Sequence, residues 1–242
     1  TRTTNTESGN NPAGGYQANT TAGFSIVDYT GTGAAGTMAH GLGAIPKAIF
    51  VKNRDEGSVD WGVYHRNASA DGNDSYLRLN TNAAPATAGT VWNDTTPTSS
   101  VFTIGSNSKT NKDGVKYVAY CFTEIQGYSK FGTYTGNNSA DGTFVYTGFS
   151  PSFIMIKRID STGSWVINDS TRNPNNQAQN TLNPDENWAE TTNTYYALDI
   201  LSNGFKIRNS NPETGGDGTT NVFMALAEHP FVSSKGVPTT AR

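Results

Sequence analysis

At 242 residues the chain has room for one large domain or two of about 100 residues each. A net charge of -3 without any Lys/Arg-rich run leaves no electrostatic footprint for nucleic acid, and no apolar stretch approaches the roughly 20 residues that a membrane helix needs. Only 15% of residues are charged, yet 11% are aromatic and 26 are glycine, which excludes a charge-rich disordered chain and points to short strands, many turns and a largely uncharged polar surface.

Residues 1–22 are mostly Thr, Asn, Gly, Ala and Ser with almost no large apolar side chain, so a flexible arm is expected there. From Phe24 the pattern changes. Residues 24–29 alternate as a strand, and Thr30-Gly31-Thr32-Gly33 marks the turn that follows. Residues 47–52 have a nearly continuous apolar centre, with Pro46 at the entrance where a missing N–H does no harm. Residues 61–65 follow a polar turn and are expected to pair with them as a hairpin. Strands are predicted again over 75–80, 100–105 and 115–125. Short strands with turn signals about every ten residues indicate a sandwich or barrel, and nothing carries a sustained helical period.

The second half replays the first. Tyr29-Thr30-Gly31 returns as Tyr134-Thr135-Gly136, and Pro46 and Lys52 return as Pro151 and Lys157, both 105 residues later. Trp61 finds Trp165, Leu79-Asn80 finds Leu182-Asn183, Trp92 finds Trp188, Phe102 finds Phe205, and residues 118–124 find 222–228. Longer polar stretches after Arg172 and between Trp188 and Phe205 suit surface loops. The expected fold is all-β: two tandem sequence-related β-sandwich (jelly-roll-like) repeats packed together, with little helix. The repeats span 23–126 and 127–232, flanked by the arm 1–22 and a C-terminal tail 233–242.

Candidate chemistry is sparse. His40, His65 and His229 sit in unlike settings, with Tyr146 or a near neighbour at the place of His40 in the second copy. No Gly-x-Ser-x-Gly elbow is present, so structural or surface roles are expected for all three. Trp92 with Asp94, and Trp188 with Glu190, are the candidate ligand-binding pairs. An indole face suits a sugar ring and a carboxylate suits its hydroxyls; the alternative is that each tryptophan packs its own half. A glycan-cleaving pair drawn from Asp94, Asp185, Glu186 and Glu190 is the enzymatic alternative. Trp61 and Trp165 are expected in the core. Asp71-Gly72-Asn73-Asp74-Ser75 clusters oxygen ligands but lacks the EF-hand pattern, so a turn is expected. Lys52-Asn53-Arg54 and Lys157-Arg158 are matched basic pairs, suited to a phosphate or acidic sugar, or to a solvated strand end. The single cysteine, Cys121, cannot close an intrachain disulfide and is expected to be buried. No catalytic residue, metal or cofactor is expected.

Several motifs resemble a family. Gly41-Leu42-Gly43-Ala44-Ile45-Pro46-Lys47 with Val51-Lys52-Asn53-Arg54, Val118-Ala119-Tyr120-Cys121-Phe122 with Gly127-Tyr128-Ser129-Lys130-Phe131-Gly132, Leu201-Ser202-Asn203-Gly204-Phe205-Lys206 and the ending from Pro230 to Arg242 are among them. They are similar to a duplicated domain of unknown function in virion proteins of marine tailed phages, often at the C-terminal end of tail-fibre or tailspike-like proteins. The resemblance covers roughly residues 23–242. It implies a non-enzymatic virion component on the particle surface, tail or capsid exterior, with host attachment as its role. Partners expected on this basis are other virion proteins through the arm, further copies of the chain (a trimer in a fibre) and a host-surface glycan, without nucleic acid or membrane insertion. Capsid or tail decoration, a carbohydrate-binding module and a glycan-cleaving tailspike domain are the alternatives.

Overall fold

The computed structural model describes residues 1–6, 8–69 and 74–228. The chain divides into two compact units: Thr1–Asn80 with Pro85–Thr123, and Thr81–Ala84 with Glu124–Arg242. The boundary therefore falls at 123/124 rather than 126/127, and Thr81–Ala84 groups with the second unit. His229, the tail 233–242 and most of the Asp71–Ser75 turn lie outside the described residues.

The first unit contains β1 (Thr3–Asn5), β2 (Gly14–Asn19), β3 (Phe24–Thr30), β4 (Gly36–Ala39), β5 (Ala48–Asn53), β6 (Gly62–His65), β7 (Ser75–Arg78), β8 (Ala86–Thr87), one helical turn α1 (Gly89–Trp92), β9 (Val101–Ile104) and β10 (Lys116–Phe122). An eight-stranded antiparallel sheet runs β1-β2-β3-β10-β5-β6-β7-β8, and β4 and β9 form a second, small sheet. The alternation legible in the sequence selects the inner face. Val27, Tyr29, Ile49, Val51, Tyr117, Ala119 and Cys121 of the large sheet enclose a core with Met38, Phe102 and Ile104 of the small one. Burying each of the larger aliphatic or phenyl side chains among them stabilises the fold by about 1.5–3 kcal/mol. The expected β5–β6 hairpin forms, with Ile49 opposite Tyr64.

The second unit contains β11 (Ser129–Thr135), β12 (Phe144–Tyr146), β13 (Phe153–Arg158), β14 (Val166–Asp169), β15 (Asn180–Thr181), β16 (Thr191–Thr192), β17 (Leu198–Leu201), β18 (Gly204–Ile207) and β19 (Thr220–Leu226). Its four-stranded sheet runs β11-β19-β13-β14, the order that β3-β10-β5-β6 has in the first unit. A three-stranded sheet, β12-β18-β17, stands where β4 and β9 stand, and closes a core of Tyr134, Ile154, Ile156, Phe223 and Ala225 with Val145, Phe205, Ile207 and Leu198.

The two units also solve their local problems alike. The buried Tyr29 hydroxyl donates to the Thr110 carbonyl at 2.6 Å, and that of Tyr134 donates to the Thr214 carbonyl at 2.8 Å. After each of these strands comes a glycine with no room for a side chain. A Cβ on Gly31 would lie 2.2 Å from the Lys112 carbonyl oxygen, and one on Gly136 would lie 2.2 Å from that of Gly216. The Tyr-Thr-Gly motif thus marks a strand end held against a return loop.

The flexible arm is corrected. Residues 14–19 pair along β3 from Gly14–Tyr29 to Asn19–Phe24, and β1 pairs with β2 in turn. Backbone hydrogen bonds to an otherwise open sheet edge supply what the side chains lack. Tyr16 anchors the strand by lying against Gly41, where an added Cβ would meet its ring at 2.0 Å. The small-residue segment is therefore ordered by its own unit.

Candidate functional site

The sequence pairs Trp92 with Trp188, but the structure gives each a different setting within its own unit. Trp92 ends α1, is 2% exposed and packs edge-to-face on Tyr64 at 5.9 Å between ring centroids. Asp94 follows on an exposed bend at φ 44°, its carboxylate folded back over Gly89. Indole and carboxylate point apart, so this pair offers no ring face to a ligand: the core alternative holds for Trp92. Trp188 lies between β15 and β16 and is 57% exposed. Beside it Glu190 pairs with Arg172 at 3.3 Å, and Arg172 also grips Asp169 at 2.5 Å.

The hydrogen bonds show why the two tryptophans are not equivalent. Gly105 N–H donates to the Val91 carbonyl, and Arg208 N–H donates to the Ala197 carbonyl. The structural counterpart of Trp92 is therefore Leu198, itself buried, and Trp188 belongs to an insertion.

The matched basic pairs are corrected too. Lys157 is 0% exposed, and its ammonium donates to the Arg158 carbonyl at 2.9 Å and the Asn82 carbonyl at 3.4 Å. Burial pushes its pKa down from 10.5 to about 8, against the pull of Asp185 and Glu213. Lys52 donates to the Val59 carbonyl at 2.9 Å and lies over the Trp61 ring. These lysines serve the fold rather than an anion. Trp165 is buried as expected, whereas Trp61 is half-buried and precedes β6.

His40 is fully buried. Its Nδ1 accepts the Leu42 N–H at 3.2 Å, which leaves Nε2–H to donate to the Thr98 carbonyl at 3.1 Å. In the second unit Thr147 accepts the Phe149 N–H in the same way, so Thr147, next to Tyr146, is the counterpart of His40.

What the tryptophan search missed is Phe144 and Tyr146. On β12 Val145 enters the core while its two neighbours face out, Phe144 45% and Tyr146 65% exposed. Across the three-stranded sheet Phe144 aligns with Lys206 and Asp199, and Tyr146 aligns with Gly204 and Leu201. Asp141 accepts from Lys206 at 2.5 Å and from Arg208 at 3.1 Å, and Arg208 reaches Asp199 at 3.3 Å. Lys206 holds the Asp141 carboxyl below the usual carboxylate range. The first unit uses the same register for other residues: Met38 faces Phe102 as Val145 faces Phe205, so Thr37, Ala39 and Val101 occupy the places of Phe144, Tyr146 and Gly204. That replacement was readable by aligning the two copies strand by strand.

Elsewhere, a shallow groove of about 370 Å³ follows β2 and β3 past Phe24 and Ile26, and the Arg2–Asp28 ion pair (2.7 Å) forms part of its lining. Among the described residues, no group of three or more His, Cys, Asp or Glu could hold a metal ion.

Fold and surface together define an antiparallel all-β protein of two sandwich units, one of which carries an exposed pair of aromatic rings on a sheet face. The chain belongs to the family described as a domain of unknown function (DUF7483), whose model matches residues 2–230. No curated protein and no solved structure matches it.

Proposed function

We propose that the chain is a non-enzymatic structural protein of a phage virion, a tail-fibre or receptor-binding component that contacts the host surface. The observation that carries this reading is the uneven distribution of exposed rings. Among the described residues the large exposed aromatics are Phe144, Tyr146, Trp188 and Tyr195, all in the second unit, whereas the first exposes Ile26 and Ile45. Clustered exposed rings mark interaction surfaces rather than ordinary solvated ones. A sheet presents Phe144 and Tyr146, the connections on either side of β16 carry Trp188 and Tyr195, and the sequence resemblance to marine tailed-phage virion proteins supplies the setting.

The test is adsorption. Antibody against the chain is expected to label virions and block attachment, and the purified chain is expected to compete with virions for host cells. Virions that remain unlabelled would defeat the proposal. Labelling of the capsid without any effect on attachment would favour the decoration alternative.

A further inference from the structure

We infer that the outer face of the β12-β18-β17 sheet is a carbohydrate-binding site for a neutral sugar, stacked on Tyr146 and Phe144. The inference deepens the host-contact reading and rests on it for the source of the glycan, though not for the binding chemistry.

Three observations favour a sugar. First, the face joins ring surfaces to hydrogen-bonding groups. Tyr146 and Phe144 project from alternate positions of one strand, about 7 Å apart along it, and Asp141, Lys206 and Arg208 continue the same face beyond Phe144. Apolar faces for C–H groups beside planar donors and acceptors for hydroxyls are what a pyranose requires.

Second, the face is shaped. Gly204 lies opposite Tyr146 and is itself buried under the edge of the Phe144 ring, so no side chain rises from β18 beside the Tyr146 ring. A side chain there is excluded, since a Cβ would lie 2.1 Å from the Val145 carbonyl oxygen and 3.1 Å from the Phe144 ring. In the first unit Val101 stands at the equivalent place, opposite Ala39.

Third, the charges are already balanced. Lys206 and Arg208 are both paired with Asp141 or Asp199, so the frame has two positive and two negative groups and no spare cation. An acidic sugar would have to break one of these pairs, whereas a neutral sugar can hydrogen-bond to them as they stand.

A second copy of the chain is the competing occupant, and area argues against it. At 45% and 65% exposure the two rings offer about 200 Å² between them, against the roughly 800 Å² per partner of a stable protein interface.

The experiment compares the native chain with the double variant Phe144→Thr, Tyr146→Ala, which installs the residues the first unit carries at these positions. Probes are immobilised neutral oligosaccharides (hexose and N-acetylhexosamine chains) and uronic-acid and sialylated ones. Binding of neutral glycans is expected, nearly independent of salt, and the double variant should weaken it by roughly tenfold or more as two stacking rings are lost. The thermal melt should be unchanged, and Trp188→Ala should leave the affinity as it was. Native-level binding by the double variant, a preference for acidic glycans that salt abolishes, or silence of the native chain on every glycan would each overturn the site. So would a dimer of the native chain that the double variant dissolves. The two readings fail separately: if the native chain and the double variant block adsorption equally, attachment stands and this site does not, whereas glycan binding by a chain that leaves adsorption untouched keeps the site and defeats host contact.

Discussion

Replacing Lys157 with methionine isolates the energetics of the second unit's interior. Lys157 lies on β13 with no solvent exposure, and water has been exchanged for two backbone carbonyls. The fall of its pKa from 10.5 to about 8 corresponds to about 3 kcal/mol working against the folded state wherever the amine is charged. The sign follows from proton counting. Between about pH 8 and 10.5 the unfolded chain holds a proton that the folded chain has lost, so native stability rises with pH across this window, and below it the penalty is complete. Methionine fills a similar volume without charge, but leaves the Arg158 and Asn82 carbonyls short of a donor, at a cost of about 1–2 kcal/mol. Asn82 keeps the Gly163 N–H at 2.9 Å. Near pH 7 Lys157→Met should therefore be neutral or stabilising by about 2 kcal/mol. The sharper readout is the slope. In urea titrations followed by tryptophan fluorescence, the native chain should gain about 2 kcal/mol on the variant between pH 7.5 and 9.5. Parallel curves for the two proteins would refute the buried-charge reasoning.

Four further outcomes are expected. Tyr29→Phe and Tyr134→Phe each strand one buried carbonyl, Thr110 or Thr214, and should cost about 1–3 kcal/mol apiece by chemical denaturation; a clear inequality would break the equivalence of the two strand ends. Trp92→Ala should destabilise by about 3–5 kcal/mol while Trp188→Ala changes little, and the reverse order would contradict their placement. Burial lowers the pKa of His40, so the unfolded chain takes up its proton first, and the contribution present above the unfolded value is lost as pH falls through the folded one; His40→Thr, which copies Thr147, should flatten thermal melts between pH 7 and 5, and melts parallel to the native ones would count against it. Burial also pushes the Cys121 thiol up, so a disulfide reagent should label it after unfolding, and prompt labelling of the native chain would show the site to be open.

The strands were legible wherever side chains carried the information. Residues 115–125 read as a strand because their centre is a long apolar run, and β10 (Lys116–Phe122) lies within them. What escaped was structure made by the backbone. β2 (Gly14–Asn19) begins with two glycines and has Tyr16 as its one large apolar anchor, so composition suggested an arm, yet the open edge of β3 captures it. Matching residue types across an insertion misplaced Trp188, whereas the hydrogen bonds of Gly105 and Arg208 put Leu198 in the place of Trp92. Identical letters also hid different burial: Lys52 is half-buried beside Trp61, while Lys157 is sealed in. Phe144 and Tyr146 were readable in principle, since β-strand alternation sends both outward once Val145 is assigned to the core.

Comparison of the copies separates what the fold demands from what it permits. Tyr29 and Tyr134, Gly31 and Gly136, and Asn107 and Asn211 agree because each satisfies or makes room for a backbone group that has no other solution. The outward positions of β4 and β12 carry no such demand, and there the copies diverge: Thr37 and Ala39 against Phe144 and Tyr146. Folding does not account for the second set. Two exposed rings bury little. Gly204, by contrast, is set by the fold: it follows the turn at Ser202-Asn203, and any Cβ would strike the Val145 carbonyl and crowd the Phe144 ring. Two large rings held open to solvent beside an ion-paired frame are shaped by something outside the fold, and that is the physical ground for seeking the ligand at Phe144 and Tyr146.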